Sequence, residues 1–262
     1  YLILIIPTNI ISDELEVVGI TLTYSSCDSI DKLINMKKIH RFLIEALPQK
    51  ELFTLEDRNF VHQIKNVLKF SVGEEIVLFS PFGNDFKCRI NAIEKDGIDF
   101  EVIEEIEKIK IPRSVIACIS IVKKDNFELI TQKLAEIGVG TLIPILSERT
   151  VKQSLNIDRL EKISIEALEQ SGHSNKMTIC EPLKLQEALK QNKEKLSIYF
   201  DMEGASTEQG LIECFYIGPE GGWSEEEKDL FKSFDIKACS LGATTLRAET
   251  ASIVASDRLI WG

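Results

Sequence analysis

The stretch Ile217-Gly218-Pro219-Glu220-Gly221-Gly222-Trp223-Ser224-Glu225-Glu226-Glu227 decides how the chain is read. The apolar run Cys214 to Ile217 before it has the length and composition of a buried strand. A turn holding three glycines and a proline ends that strand, and Ser224 with Glu227 forms a capping box that opens a helix. Strand, glycine turn and capped helix make a βα unit whose bare backbone lets a ligand approach without meeting a Cβ atom. The turn has no P-loop lysine, and Glu220, Glu225, Glu226 and Glu227 crowd the helix start with negative charge. It therefore suits a ligand that carries positive charge or bonds to backbone better than a triphosphate.

Downstream, Leu241-Gly242-Ala243-Thr244-Thr245-Leu246-Arg247-Ala248-Glu249-Thr250 repeats the arrangement: a strand, Ile236 to Leu241, exits at Gly242, and Thr244 or Thr245 can cap the Ala-rich helix that closes near Trp261. Arg247 near a helix N-terminus opposes the macrodipole, whereas Glu249 favours it, so Arg247 is expected to have another partner, such as a carboxylate or a substrate oxygen. Upstream, Val115–Val122, Thr141–Leu146 and Leu196–Asp201 read as further strands. Between them, Asp125 with Glu128 is a capping box for a helix carrying Phe127, Ile130, Leu134 and Ile137. Asp158 with Glu161 is another, for a helix carrying Leu160, Ile163, Ala167 and Leu168 that stops at Ser171–Gly172. Strands alternating with helices predict an α/β fold with a parallel sheet covered on both faces, its ligands beyond the carboxyl ends of the strands.

From Met36 to about Lys108 the period is that of strands: Ile76–Phe79, Phe86–Ile93 and Ile98–Ile106, broken by Pro81–Asn84 and by Lys95–Gly97. One helix capped by Asp57 interrupts them, with Phe60, Val61, Ile64, Val67 and Leu68 on its apolar face. This reads as a small β-barrel-like domain, and the charge-rich run Glu101–Lys110 with Pro112 marks its end. Three parts follow: residues 1–35 unassigned, 36–110 the small domain, and 111–262 the α/β domain. The chain opens on Tyr1, and Met36, followed by Lys37, Lys38, Ile39, His40 and Arg41, offers an alternative start.

With 262 residues, 44% of them hydrophobic, the chain has enough apolar mass for a core. A net charge of -11 excludes holding nucleic acid by a general positive field. Locally the sign reverses: between Met36 and Phe70 seven basic residues, among them Arg41, Lys65 and Lys69, face four acidic ones. The six cysteines stand singly, with no C-x-x-C pair and no metal-ligand spacing, which fits a reducing cytoplasm. No apolar run approaches the roughly 18–20 residues that cross a bilayer.

IGPEGG at 217–222, LGATTLRAET at 241–250, the helix segment Gln132–Val139, Ser147-Glu148-Arg149-Thr150, Glu169-Gln170-Ser171-Gly172 and the opening Ile39-His40-Arg41-Phe42 resemble the RsmE family. These are bacterial enzymes that methylate N3 of a uridine in 16S ribosomal RNA of the small subunit. The likeness covers about Met36 to Gly262. It implies a PUA-like RNA-binding domain followed by a SPOUT methyltransferase domain with a deep trefoil knot, S-adenosylmethionine as cofactor, and a homodimer. By the same resemblance Phe200, Asp201, Ile217, Gly218, Glu220, Gly221, Gly222, Leu241, Gly242 and Leu246 fall on cofactor loops. The family commonly carries a Pro-Arg pair where Ala243 and Thr244 stand, and Arg where His173 stands, which lowers the local positive charge here.

Deprotonation of uracil N3 leaves charge on O2 and O4 that a cation can stabilise, which makes Arg247 the catalytic candidate, with Glu249 as proton acceptor or orienting partner. Arg41, Lys65, Lys69, Lys133, Arg149 and His173 are the RNA-binding candidates, and no metal is expected. Two other functions stay open on these residues: a SPOUT enzyme for another RNA, and a ribosome-assembly protein without turnover.

Overall fold

In the computed structural model, which describes residues 39–45, 50–150, 154–206 and 211–262, the first alternating runs pair as a five-stranded sheet. Its strands are β1 (Arg41–Leu43), β2 (Leu52–Leu55), β3 (Glu75–Phe79), β4 (Asp85–Ile93) and β5 (Ile98–Ile106), in the order β1-β3-β4-β5-β2. β1 runs parallel to β3, and the other pairs are antiparallel. Segment 1–35, with Lys37 and Lys38, lies outside the described residues. Between β2 and β3, α1 (Arg58–His62) is capped by the Asp57 carboxylate, which accepts from the amides of Asn59 and Phe60. Gln63–Val67 then form a π turn, closed by Leu68 N–H on Gln63 O. That wider turn corrects the helical face read from spacing: Phe60, Val61 and Ile64 are buried, whereas Val67 and Leu68 turn to solvent.

The second sheet has seven strands, all paired in parallel: β6 (Ile116–Ser120), β7 (Thr141–Leu146), β8 (Thr178–Ile179), β9 (Leu183–Lys184), β10 (Ser197–Ser206), β11 (Cys214–Ile217) and β12 (Lys237–Ser240). Their order is β12-β10-β11-β6-β7-β8, with β9 also on β7. β6 and β11 are apolar along their length because both faces are covered. On one face lie α2 (Lys124–Ile137), α3 (Ile157–Ser171) and α6 (Ala248–Ile260), with Phe127, Leu160 and Ala255 in their shared core; on the other lie α4 (Leu185–Gln191) and α5 (Glu225–Ser233), packed through Leu189 and Phe231. No described helix is long and apolar enough to cross a membrane.

The helix ends bear out some readings and correct others. α5 has the reciprocal Ser224–Glu227 capping box, and α3 stops at Gly172 with φ +87°. The two other capping boxes do not form. α2 begins after Lys123, and Glu128 is taken by Arg159, whose Nε lies 2.6 Å away. α3 is capped by Asn156, which accepts from Arg159 N–H, because the helix starts at Ile157, two residues earlier than a cap at Asp158 requires. At α6 the cap position is Arg247 itself, with no side-chain cap, so neither Thr244 nor Thr245 serves.

A buried polar joint ties the two sheets together. Arg41 Nη2 donates to Asp85 Oδ2 at 2.8 Å, to Ser174 Oγ at 3.1 Å and to His173 O at 3.3 Å, and its guanidinium lies 4.8 Å from the Phe79 ring centroid. Ser174 Oγ donates in turn to the Asp85 carboxylate, and Leu43 N–H to Glu169 Oε1. Two RNA-binding candidates are thereby corrected. Arg41 is spent on a carboxylate that is 2% exposed, and His173 is 3% exposed, its Nε2 on the carbonyls of Ala135 and Glu136. A charge count along the chain carries no information about which cations are neutralised by distant partners.

Candidate functional site

On one side of the larger sheet the irregular middle of β10 and the turns that leave β11 and β12 enclose a cleft of about 320 Å³. A space of this size at the carboxyl ends of parallel strands is where α/β sheets hold small ligands. β10 supplies Phe200, Asp201 and Met202; the turn after β11 supplies Ile217 to Glu220, Gly222 and Trp223; the turn after β12 supplies Ser240 to Gly242 and Thr244 to Ala248. Apart from Gly221, all the cofactor residues expected from the resemblance line this one cleft.

Each wall is held by identifiable contacts. The β10–β12 register shifts between Phe200 and Ala205, which leaves Asp201 outside the regular ladder. Asp201 Oδ1 accepts the Glu203 amide at 3.0 Å, while Lys228 Nζ lies 3.5 Å from Oδ2. Burial pulls the Lys228 ammonium down, and the carboxylates of Asp201, Glu225 and Glu203 outweigh it, so its pKa is raised. In the second wall, the buried Trp223 indole N–H donates to Phe200 O at 3.2 Å and joins the first two loops. The indole passes so close to Gly218 that a Cβ there would sit 3.1 Å from it, which is the reason for a glycine at that point. In the third wall, Ser240 Oγ donates to Gly242 O at 3.0 Å and Arg258 Nη1 to Leu241 O at 3.1 Å. Gly242 has φ +144°, a backbone that L side chains rarely adopt, and the space where its Cβ would stand is open.

The two candidate catalytic residues stand at the start of α6. Arg247 lines the cleft, exposed, with no side-chain hydrogen bond or ion pair to another described residue. Glu249, one position into the helix from Ala248, has a buried Oε2 with no hydrogen-bond partner among the described residues. Among the RNA candidates, Lys65 and Lys69 are exposed on the smaller sheet's side, and Lys133 is paired to Glu136 at 2.8 Å. Arg149 Nη1 donates to Gly221 O at 2.7 Å, behind the second wall. No group of three or more His, Cys, Asp or Glu among the described residues is arranged to hold a metal ion.

The sequence matches the RNA methyltransferase domain family over residues 110–260. It is 30% identical over 219 residues to the ribosomal RNA small subunit methyltransferase E of Bacillus subtilis, covering 74% of this chain and 84% of that one. The chain belongs to the ribosomal RNA small subunit methyltransferase E family. The methyltransferase E of Rickettsia conorii is 29% identical over 231 residues, 84% of this chain and 94% of that one. The Neisseria gonorrhoeae methyltransferase E, solved bound to S-adenosyl methionine, superposes with a TM-score of 0.76 at 28% identity, covering 85% of this chain and 98% of that one. In this chain, sequence reading missed Trp223, Met202 and Ser240 as cleft residues. The aromatic after a glycine pair was a readable signal for Trp223, whereas Met202 and Ser240 carry none.

Proposed function

We propose that the chain transfers a methyl group from S-adenosylmethionine to N3 of one uridine of 16S ribosomal RNA in the small subunit. The observation that carries this reading is the three-loop cleft with the unpaired Arg247 at its edge. The donor set fits the cofactor. Ile217, Leu241 and Leu246 offer apolar walls, and the spaces at Gly222 and Gly242 that a Cβ would fill are open. Bound there, S-adenosylmethionine supplies an electrophilic methyl carbon on a sulfonium. The protein's part is to hold two partners in line, which makes positioning the main source of rate.

Arg247 stabilises the charge that grows on uracil oxygen as the N3 proton leaves, and the Glu249 carboxylate, half-buried, accepts that proton or orients Arg247. The reach of a base inside folded RNA requires it to be unstacked first. Lys65 and Lys69 are two of the exposed cations beside the smaller sheet, which we read as a PUA-like RNA-binding domain over residues 36–110, followed by the methyltransferase domain over 111–262. The placement of β11 between β6 and β10, with β12 outside β10, supports a knotted SPOUT thread. A cytoplasmic homodimer is the expected working form.

The test is methyl transfer from labelled S-adenosylmethionine to small subunits that lack this modification, with the methylated base mapped by mass spectrometry. A single N3-methyluridine is expected; no transfer, or a methyl on ribose, overturns the reading.

A further inference from the structure

We propose that Arg149 is a positioning residue for the cofactor loop, acting through the carbonyls of Gly221 and Trp223 and not through RNA. The inference rests on the cofactor reading above.

Arg149 stands at the exit of β7, which β6 separates from β11, yet its Nη1 reaches across to Gly221 O at 2.7 Å and Trp223 O at 3.5 Å. Its stem packs on Gly221: a Cβ there would sit 3.3 Å from Arg149 Cδ, so the glycine is what admits the arginine. A second strut lies beside the first. Glu227, only 8% exposed, accepts Glu148 N–H on Oε1 and Ser224 N–H on Oε2, both at 2.9 Å. The base of both struts is itself fixed, because Thr150 Oγ1 accepts Ser147 N–H at 2.9 Å and Thr150 N–H donates to Ser147 O. Consecutive residues, Glu148 and Arg149, thus grip the two ends of the Gly221–Ser224 turn. The loop that contains this turn lines the cleft through Gly218, Glu220 and Gly222. A loop held from behind need not be ordered by its ligand, and affinity rises by the ordering entropy saved.

The experiment compares the full chain with Arg149→Ala and Arg149→Lys. Amide hydrogen exchange without ligand should quicken at Gly222 and Ser224 in Arg149→Ala while the interior of α2 is unchanged. Titration calorimetry with S-adenosylmethionine should show about tenfold weaker binding, the size of one lost charge-assisted hydrogen bond, with Arg149→Lys between the two. At saturating cofactor, KM for small subunits should stay within about twofold of wild type. Unchanged exchange and unchanged cofactor affinity with a raised KM for subunits overturns the proposal and makes Arg149 an RNA contact. A wild-type chain that binds no S-adenosylmethionine removes the cofactor reading instead, and the exchange comparison still decides for or against the clasp.

Discussion

The Arg41 guanidinium meets the Asp85 carboxylate at 2.8 Å across 44 residues of sequence, with side chains 15% and 2% exposed. Ser174, from the turn after α3, donates to both oxygens of the same carboxylate, so the pair sits where the two sheets meet. Removing one partner of a buried pair leaves the other charged and unsolvated, at a cost of about 3–5 kcal/mol. Arg41→Ala should therefore lose about 3 kcal/mol of unfolding free energy in urea. Ser174→Ala, which removes only a hydroxyl, should lose about 1–2 kcal/mol. A loss below about 1 kcal/mol for Arg41→Ala would mean that the joint contributes little.

Gly242 tests the third wall. Its φ of +144° is a strained backbone for any other residue, although no atom lies within 4 Å of where a Cβ would stand. Strain of about 1–3 kcal/mol in Gly242→Ala is relieved by a local shift of the loop, not by unfolding. Calorimetry should show S-adenosylmethionine binding weakened about tenfold while the melting temperature moves by only a few degrees. An unaltered affinity would place the loop outside the binding determinants.

Arg247→Ala should separate binding from chemistry. If the guanidinium stabilises charge that develops only in the transition state, single-turnover methyl transfer falls about 10²–10³-fold while cofactor affinity stays within about threefold. Full turnover on ribosomal subunits would remove Arg247 from the chemistry.

His173 sets a pH dependence of stability. Burial lowers its pKa; the Ala135 and Glu136 carbonyls work against that, and Arg41 adds to it. With Nε2 on those carbonyls, Nδ1 accepts the Asn175 amide at 3.2 Å, a bond that the protonated ring cannot make. As pH falls below the unfolded value of about 6.5, the unfolded chain takes up the proton first, so stability is complete above about 6.5 and declines toward the folded pKa. Glu169, raised by burial against the Leu43 hydrogen bond, has the opposite sign, with stability present below its unfolded value and lost as pH rises through the folded one. Urea midpoints at about pH 7 and pH 5.5 should therefore fall more steeply for wild type than for His173→Gln. Equal slopes would show that His173 is not the responsible group.

What could be read from sequence was whatever depends on neighbours along the chain. β6 and β11 announce themselves as short apolar runs because a doubly covered strand has no polar face. The Ser224–Glu227 box was legible because both its bonds close within four residues. The same spacing at Asp125 and Glu128 misled, since Arg159, 31 residues away, offers Glu128 a two-pronged ion pair at 2.6 and 2.7 Å. At the site, glycines and strand ends mark the cleft walls, whereas nothing along the chain shows which protein groups engage Arg41, His173 and Arg149. Their partners come from 132, 37 and 72 positions away, distances at which composition is silent.

The strand order also governs when the cleft can exist. β6 gains its central neighbour β11 only after almost a hundred further residues, and β10 sits on the sheet only through β11 and β12. Contacts of such long range form slowly and late. The two loops after β11 and β12 supply most of the lining, so a nascent chain that has completed β7 and α3 has compact helices and a half-built sheet but no binding cleft. Competence to bind arrives with the C-terminal quarter, and until then the edge of β6 that β11 will take is an open edge of an apolar strand, exposed to aggregation.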